Sequence, residues 1–241
     1  MTTPVLTSSQ RPADTRQVRA MFDAIAPTYD LLNGVLSGGV HRVWERALVQ
    51  SLPVCHFGSC LDLCTGTGAL VPRLASKFER VVGADISPRM LHVARSRWKS
   101  LSNVTWVEAD AQTLPFESAS FDCLTVSYGV RNVPNLRQGL SEMWRVLKPG
   151  GTLAILEFGT PRNQLWKKLF SLYSRVVIPF IGGIISGERG AYEYLPTTAA
   201  AFPCGDEFVT LIQESGFEPL FTRRLLGGVA YIYVGRRPAE E

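Results

Sequence analysis

The chain has 241 residues, of which 46% are hydrophobic and 19% charged, and this composition is typical of a folded globular protein rather than a disordered chain. Its 25 basic and 21 acidic residues give a net charge of +4, and the basic residues are scattered, so no basic stripe predicts binding to nucleic acid. The five cysteines lack the spacing of a zinc site or a disulfide framework, so we expect reduced thiols and no bound metal.

The front of the chain predicts a tail followed by a helical segment. Residues 1–16 are rich in Thr and Ser and lack the apolar core of a secretory signal, so we expect a flexible tail. Residues 17–241 are expected to form a single domain, because this length suits one α/β domain. Helical periodicity before and after a Gly-rich break predicts two helices within residues 17–52, laid as a lid across the carboxyl edge of a sheet.

From residue 59 onward, short apolar runs alternate with amphipathic stretches of helical length, which is the order of βαβ units with parallel strands. The apolar runs predict five parallel strands, with the sequences SCLDLC, RVVGAD, NVTWVEAD, FDCLTVSYG and GTLAILEF. Helices are predicted over about residues 69–78, 89–99 and Leu136–Val146.

The end of the chain changes this pattern. Residues 159–203 look irregular and are assigned as a substrate-side insertion, and a helix is expected over residues 207–214. The runs FEPLFTRRLL and VAYIYVGRR, joined by Gly227 and Gly228, predict an antiparallel hairpin. The expected fold class is therefore α/β and Rossmann-like, with about seven mostly parallel strands, helices on both faces and an antiparallel C-terminal hairpin.

The stretch LDLCTGTGAL places Gly66, Thr67 and Gly68 directly after the first predicted strand. Small residues there let backbone N–H groups approach a ligand without interference from side chains. A dinucleotide fingerprint would need a third glycine at the position of Val71, and the GK[ST] of a phosphate-binding loop is missing as well. The loop therefore favours a ligand without a pyrophosphate, for which S-adenosylmethionine is the common candidate.

Polar residues follow the next predicted strands. Asp85 ends the second strand, where such folds place a carboxylate that accepts hydrogen bonds from ribose hydroxyls. Asp110 follows the third strand and could accept from the adenine amino group, beside the backbone N–H of Ala111. The remaining cofactor candidates are Asp62 and Thr67 at the methionine end and Ser127 at the end of the fourth strand. Each aspartate taken singly could equally be a helix cap or a turn residue, but together with the glycine loop these residues favour a cofactor crevice.

Several longer motifs resemble the class I S-adenosylmethionine-dependent methyltransferases: LDLCTGTG, GADISPRML, EADAQTLPF, FDCLTVSYGVRNV and EMWRVLKPGG. The combination of GVRNV, RVLKPGG and LEF is most similar to the ubiquinone/menaquinone biosynthesis C-methyltransferase family, and the resemblance covers nearly the whole chain. It implies that five residues contact the cofactor: Thr67, Asp85, Asp110, Ala111 and Ser127. Ala69 and Tyr128 differ from the residues common in the family, and these differences concern the predicted substrate contacts rather than the cofactor contacts.

The resemblance implies methylation of a ring carbon on a prenylated quinol, with demethylmenaquinol as the first candidate, in menaquinone or ubiquinone biosynthesis. A quinol that loses one hydroxyl proton pushes charge onto the adjacent ring carbon, which can then attack a methyl donor. We hypothesise that Arg131 stabilises this anion and that Asn132 orients it, both just beyond the fourth strand. The alternative is an arginine held in a salt bridge to the next helix and an asparagine that caps a turn before Pro134.

Tyrosines are the candidate substrate contacts. The residues proposed are Tyr29, Tyr128 and Tyr194, with Tyr192 as the alternative to Tyr194. Packing in the core or the lid is an equal alternative for each of them.

Rival functions remain open at this point. A small-molecule O-methyltransferase would carry the same cofactor motifs, and a non-catalytic module that binds S-adenosylmethionine is a further alternative. A nucleic-acid methyltransferase is disfavoured, because enzymes that act on exocyclic amines usually carry an N/D-P-P-Y/F cluster where this chain has SYGVRNV. An NAD-dependent dehydrogenase is disfavoured by Val71.

The run LWKKLFSLYSRVVIPFIGGII combines large apolar residues with three cations and could rest on a membrane surface. The alternative, which we favour, is a helix packed over the sheet as the roof of an apolar substrate channel. Residues 176–185 are about half the ~20 residues that a membrane-spanning helix needs, and Pro179 interrupts them, so we expect no such helix. The expected location is the cytoplasm; a peripheral contact with the inner face of the membrane and assembly into a homo-oligomer are left open.

Overall fold

Successive residues of the central strands face opposite sides of one sheet, as the period of two in a β-strand requires. Leu61 and Leu63 belong to one apolar core, whereas Cys60 belongs to another on the opposite face. Leu153 and Ala154 divide between the two cores in the same way. The nearly continuous apolar runs of the sequence therefore form strands that are covered on both faces.

The sheet has seven strands in the computed structural model, which describes residues 14–53 and 58–239. They are β1 (Ser59–Leu63), β2 (Arg80–Asp85), β3 (Val104–Glu108), β4 (Phe121–Ser127), β5 (Leu147–Phe158), β6 (Glu218–Leu225) and β7 (Ala230–Arg236). The spatial order is β3-β2-β1-β4-β5-β7-β6. β1 to β5 pair in parallel, and β7 is antiparallel to both β5 and β6. The predicted mostly parallel sheet with an antiparallel C-terminal hairpin is confirmed.

Helices cover both faces of this sheet. They are α1 (Thr15–Ile25), α2 (Tyr29–Ser37), α3 (Val40–Gln50), α4 (Val71–Ala75), α5 (Pro88–Arg97), α6 (Leu136–Val146), α7 (Gln164–Leu172), α8 (Ile178–Ser186), α9 (Arg189–Ala201) and α10 (Asp206–Glu214). α6 and α10 contribute to the core on one face, and α3 and α4 contribute to the core on the other. The bounds of α6 match the prediction, because the Asn135 side chain caps its first turn.

The front of the chain differs from the prediction in two ways. It forms three helices rather than two, because the turn after α1 and the left-handed Gly38 and Gly39 each interrupt the helical path. α1 also begins at Thr15, inside the predicted tail of residues 1–16, where the Asp14 side chain accepts a hydrogen bond from the Arg16 N–H. The rest of the predicted tail, residues 1–13, lies outside the described residues.

The prediction that residues 159–203 are irregular is wrong, since α7, α8 and α9 occupy most of this segment. A π-helical turn, Tyr173–Val177, joins α7 to α8. Pro179 lies just after this turn, at the second residue of α8, and the helical path continues through it. Gln164–Ile185 is one helix of 22 residues, long and apolar enough by length and composition to cross a membrane, so the length estimated from residues 176–185 alone was wrong. The expectation that no helix spans a membrane stays a prediction.

The boundaries of two further elements differ from those predicted from the sequence. α4 is shorter than the predicted helix over residues 69–78, and β5 begins at Leu147, several residues before the predicted strand. Neither difference alters the order of the elements.

The order of strands reverses between β1 and β4, which is the point where open α/β sheets bind ligands outside the carboxyl ends of their strands. α1 and α2 lie over this edge. Ile25 and Leu32 of these helices pack in a third apolar cluster with Met90 of α5 and Tyr192 of α9. This cluster anchors the front helices as a lid over the edge.

Candidate active site

One cavity at the carboxyl edge gathers most of the residues predicted from the sequence. Those that line it are Tyr29, Gly66, Asp85, Asp110, Ala111, Ser127, Tyr128 and Asn132. The cavity measures about 60 Å³. Sites for small molecules usually measure roughly 300–1,000 Å³, so a ligand the size of a nucleoside requires the lid to shift.

The glycine loop has two functions in this structure. Gly66 lies at the cavity with a φ of +55°, in the left-handed region, and donates its N–H to Oδ2 of Asp85 at 2.8 Å. Gly68 lies outside the cavity lining, and a Cβ there would approach the Trp106 ring to 2.7 Å. The packing of tryptophan side chains therefore requires a glycine at position 68, whereas the left-handed backbone at the cavity favours a glycine at position 66.

Asp85 presents a buried carboxylate to the cavity. Its Oδ1 accepts the Ser87 N–H at 2.9 Å, in addition to the bond from Gly66. Burial raises the pKa of this carboxyl to about 6, against the opposing effect of these N–H donors. The carboxylate is thus fixed in position by the backbone and has unused acceptor capacity for hydroxyl donors.

Asp110 and Ala111 lie together just after β3, and both line the cavity. Oδ1 of Asp110 accepts the Gln112 N–H at 2.8 Å, and Oδ2 accepts a hydrogen bond from the Thr15 hydroxyl at 3.3 Å. Thr15 also lines the cavity, although the sequence assigned it to the tail. The contact between Thr15 and Asp110 joins the start of the lid to the site.

Asp62 and Thr67 lie outside the cavity lining and hold the surrounding structure. Asp62 is buried and accepts hydrogen bonds from the hydroxyls of Thr65 at 2.6 Å and Thr125 at 2.7 Å. Burial raises its pKa to about 6. The Thr67 hydroxyl donates to Oδ1 of Asp30 on the lid at 2.7 Å, and Asp30 also pairs with Arg97. The prediction that Asp62 and Thr67 contact the cofactor stays untested.

Several polar atoms in the cavity wall have no partner among the described residues. Both amide atoms of Asn132, the Ser127 Oγ and the Tyr128 hydroxyl are buried without a hydrogen bond. Leaving a buried polar group unpaired costs about 1–3 kcal/mol, so a cluster of such groups calls for a ligand. Tyr128 is moreover held at a φ of +58°, a backbone conformation uncommon for a bulky residue and often found at functional sites.

Arg131 lies beside the cavity but does not line it. Its Nη1 donates to Oε1 of Glu157 on β5 at 2.5 Å and to the Tyr128 carbonyl oxygen at 2.6 Å, and its guanidinium lies over the Phe158 ring. The backbone N–H of Arg131 donates to the other Glu157 oxygen at 3.1 Å. The sequence offered a salt bridge as the alternative, with the next helix as partner, but the partner is Glu157 on β5. The geometry supports a role in holding the loop; a direct contact with substrate stays a prediction.

The three candidate tyrosines separate in space. Tyr29 and Tyr128 line the main cavity. Tyr194 lies instead at a second cavity of about 330 Å³, between α1 and the segment from α8 to α9, together with Gln17 and Met21. The structure therefore brings two of the three tyrosines to the site.

Two buried glutamates were not identified from the sequence. Glu157 is fully buried directly after the apolar run of residues 153–156, and a glutamate that continues such a run was the available signal in the sequence. Glu45 is buried on α3, where burial raises its pKa to about 7. After burial itself, the Glu45 charge is the largest influence that raises the pKa of Tyr128. In the part of the chain that the structure describes, no three His, Cys, Asp or Glu side chains gather as a metal-binding group.

A Rossmann-like sheet, strand-end carboxylates and unpaired polar atoms lie together under a lid. This geometry restricts the class of protein to Rossmann-like folds that bind a small molecule at this edge of the sheet. The model of the ubiE/COQ5 methyltransferase family matches residues 10–237, nearly the whole chain. The chain belongs to the ubiE/COQ5 methyltransferase family. This confirms the resemblance noted from the motifs.

Members of the ubiE/COQ5 family with curated names are similar to this chain over almost their entire length. A demethylmenaquinone methyltransferase from Deinococcus radiodurans is 43% identical over 222 residues, which cover 90% of this chain and 91% of that protein. A ubiquinone/menaquinone biosynthesis C-methyltransferase from Syntrophotalea carbinolica is 41% identical over 225 residues, covering 92% and 94%.

A solved structure is similar at the level of the fold. It is a phosphoethanolamine N-methyltransferase from Haemonchus contortus in complex with S-adenosyl-L-methionine, with a TM-score of 0.62 and 17% sequence identity, covering 81% of this chain and 52% of that one. At this identity the likeness shows the fold alone, which is the class I methyltransferase fold predicted for this ubiE/COQ5 member.

Proposed function

We propose that this chain transfers a methyl group from S-adenosyl-L-methionine to a ring carbon of a prenylated quinol, with demethylmenaquinol as the first candidate acceptor. Membership of the ubiE/COQ5 family and the names of the two relatives support this activity. The observation that carries it in the structure is the cluster of unpaired polar atoms from Ser127, Tyr128 and Asn132, next to the Asp85 carboxylate.

The residues at the cavity fit the methyl donor. Asp85 offers a carboxylate to ribose hydroxyls, and the Ala111 N–H offers a donor to an adenine edge. Asp110 offers an acceptor to the same edge once Thr15 or Gln112 releases one of its oxygens. Apolar side chains of Ile86, Met90 and Val133 line the same cavity and suit the faces of a base. When bound, the sulfonium supplies an electrophilic methyl group; these residues bind and orient it.

The polar wall of the cavity suits the quinol. The Asn132 amide can donate to a phenolate oxygen and accept from the second hydroxyl, and Tyr128 lines the same cavity. Tyr29 closes the cavity from the lid, together with apolar Val18 and Phe22. Exclusion of water by these side chains strengthens the attraction between a quinolate and a sulfonium, because it lowers the local dielectric.

Arg131 is assigned a positioning role. Its ion pair with Glu157 ties the loop after β4 to β5, and its bond to the Tyr128 carbonyl fixes the residue before the turn. Asn132 follows directly and lines the cavity.

Oxygen methylation of another small apolar substrate, and binding of the donor without catalysis, are the alternatives to exclude. Purified protein is incubated with methyl-labelled S-adenosyl-L-methionine and either demethylmenaquinol or the methoxybenzoquinol analogue. Fragmentation of the product by mass spectrometry locates the label on a ring carbon or on oxygen. Label on oxygen, or no label on either quinol, contradicts the proposal.

The proposed substrate also indicates where in the cell the enzyme acts. Each methylene group that leaves water contributes about 0.8 kcal/mol, so a prenylated quinol resides in lipid rather than in water. The proposed location is therefore the cytoplasm, with peripheral contact at the inner face of the membrane, where the enzyme meets its acceptor. Assembly into a homo-oligomer stays a prediction.

A further inference from the structure

The helix Gln164–Ile185 carries a row of exposed apolar side chains. Only 11% of its apolar window is buried. The exposed residues are Leu165, Leu169, Leu172, Val176, Phe180 and Ile184, each between 52% and 70% exposed. We name these six residues the apolar stripe. Scattered single exposures are ordinary on a protein surface, whereas six on one helix call for an explanation.

The spacing of the stripe keeps it on one side of the helix. Its members follow at intervals of four, three, four, four and four residues. A step of four over-rotates an α-helix by about 40°, so three such steps in a row would carry the stripe around the axis. The π turn Tyr173–Val177 lies within these steps, and its wider turn offsets the rotation.

The opposite side of the helix is fixed to the rest of the molecule. The Trp166 indole donates to the Leu226 carbonyl at 3.2 Å, and the Tyr173 hydroxyl donates to the Leu36 carbonyl on α2. Ile178 and Ile181 pack against the lid cluster. A helix held in this way on one side lies along a surface, because crossing a bilayer would break these contacts.

The charged residues of this helix indicate which partner binds the apolar stripe. Gln164–Ile185 contains Lys167, Lys168 and Arg175 and no acidic residue. Lys168 and Arg175 follow Leu165 and Leu172 by three residues, so they flank the stripe on the same side of the helix. Both cations are exposed. An apolar row edged by cations is complementary to the surface of an anionic bilayer, where acyl chains lie beneath negative headgroups.

The stripe is also continuous with the lid. α2, which packs against this helix, exposes Leu31 and Val35. Tyr29, the first residue of α2, lines the active-site cavity. A surface that rests on lipid through the stripe and α2 therefore brings the mouth of the cavity close to the membrane.

We propose that the apolar stripe, Lys168 and Arg175 form a docking surface that lies in the plane of an anionic lipid bilayer. The proposal rests on the proposed function in one respect: the prenylated acceptor explains why the cavity should face lipid. The helix inserts its apolar side chains among the acyl chains, and the cations meet the headgroups. Docking thus presents the lid to the leaflet that holds the substrate.

The test uses the full chain and vesicles of phosphatidylcholine with and without phosphatidylglycerol, without quinol. Wild-type protein should co-sediment with the anionic vesicles, and added salt should weaken this binding. The variant Leu169→Gln/Leu172→Gln/Val176→Gln/Phe180→Gln should bind at least about tenfold more weakly. The matched control is Leu220→Gln/Phe221→Gln, two exposed apolar residues on β6, which should bind as wild type does. Equal binding by the stripe variant and wild type overturns the proposal.

A second variant keeps the test decisive if the first variant misfolds. Lys168→Gln/Arg175→Gln leaves the apolar row intact and should lose most of the preference for anionic vesicles. Analytical ultracentrifugation tests whether a second copy of the chain covers the apolar stripe instead. If wild-type protein is a dimer that does not bind vesicles, and the stripe variant is a monomer, the stripe is an interface between two copies and the proposal is overturned. Because no quinol is present, failure to dock is distinguishable from failure to methylate.

Discussion

Arg131 and Glu157 form a buried ion pair, with Nη1 and Oε1 2.5 Å apart. Replacing Glu157 by Ala leaves a buried guanidinium without its carboxylate, which should lower the free energy of unfolding by about 3–5 kcal/mol. The double variant Arg131→Met/Glu157→Met should recover most of this loss, because two apolar side chains replace the pair. Chemical denaturation measures both effects.

The matched control for this pair is Glu218→Ala, which breaks the exposed ion pair with Arg236 and should cost less than about 1 kcal/mol. Because the double variant also lacks the bond from Arg131 to the Tyr128 carbonyl, we expect its turnover to stay below that of wild type while its stability recovers. A folded double variant with wild-type turnover would contradict the positioning role.

Asn132 is the best candidate for orienting the acceptor, because both atoms of its amide are buried without a partner in the described structure. Asn132→Ala should lower kcat by about 10²-fold, as for loss of a preorganised donor, while the affinity for S-adenosyl-L-methionine stays near that of wild type. Steady-state kinetics and calorimetric titration measure the two quantities. Asn135→Ala, an exposed helix cap in the same loop, should leave kcat unchanged. An equal fall in both variants would point to a disturbed loop instead.

The hydrogen bond between Thr67 and Asp30 predicts competition between lid and cofactor. If Thr67 contacts the cofactor, as the family resemblance implies, Asp30 occupies its hydroxyl in the ligand-free protein. Asp30→Ala should then tighten S-adenosyl-L-methionine binding by roughly fivefold, which corresponds to about 1 kcal/mol, and should speed association. Stopped-flow fluorescence measures the rates. Glu214→Ala, which breaks an exposed pair with Arg137 far from the lid, is the control. Slower association in Asp30→Ala contradicts this account of the lid.

Asp62 predicts a pH dependence of stability. Burial raises its pKa to about 6, above the ordinary value near 3.9, so the native state holds the proton more tightly than the unfolded state. Below about pH 4 Asp62 is protonated in both the native and the unfolded state, so its ionisation does not affect stability. Between about pH 4 and pH 6 the free energy of unfolding falls as pH rises, because the unfolded state ionises first. Above about pH 6 both states are ionised and this loss of stability is complete. Asp62→Asn should therefore be more stable than wild type at pH 8 by roughly 1–3 kcal/mol, and equal to it at pH 4.

Asp122→Asn gives the opposite sign and serves as the comparison for Asp62. The Ser59 N–H and the Lys148 ammonium lower the pKa of Asp122 despite some desolvation, so ionised Asp122 stabilises the native state. Its replacement should destabilise the protein at pH 8, with a difference that shrinks as pH falls toward the pKa of the native carboxyl. Thermal unfolding across this pH range would contradict both predictions if the two variants moved in the same direction.

The sequence by itself determined the sheet, because continuous apolar runs separated by helical stretches leave parallel strands buried on both faces as the stable solution. It also determined the glycine loop, the strand-end carboxylates and the family. These features are local: the residues that carry them are neighbours in the chain, or follow from the period of a strand or a helix. Eight of the predicted site residues therefore meet at one cavity.

Only the tertiary structure decided which polar groups are already paired. Thr67 meets Asp30 across 37 positions of sequence, and Arg131 meets Glu157 across 26, and no local pattern encodes such distances. The continuity of the helix through Pro179 likewise depends on the π turn before it and on packing against the lid. Hydrogen bonds and burial depend on which surfaces the fold brings together, so the free groups of the site, Ser127 and Asn132, become recognisable only once the paired ones are known.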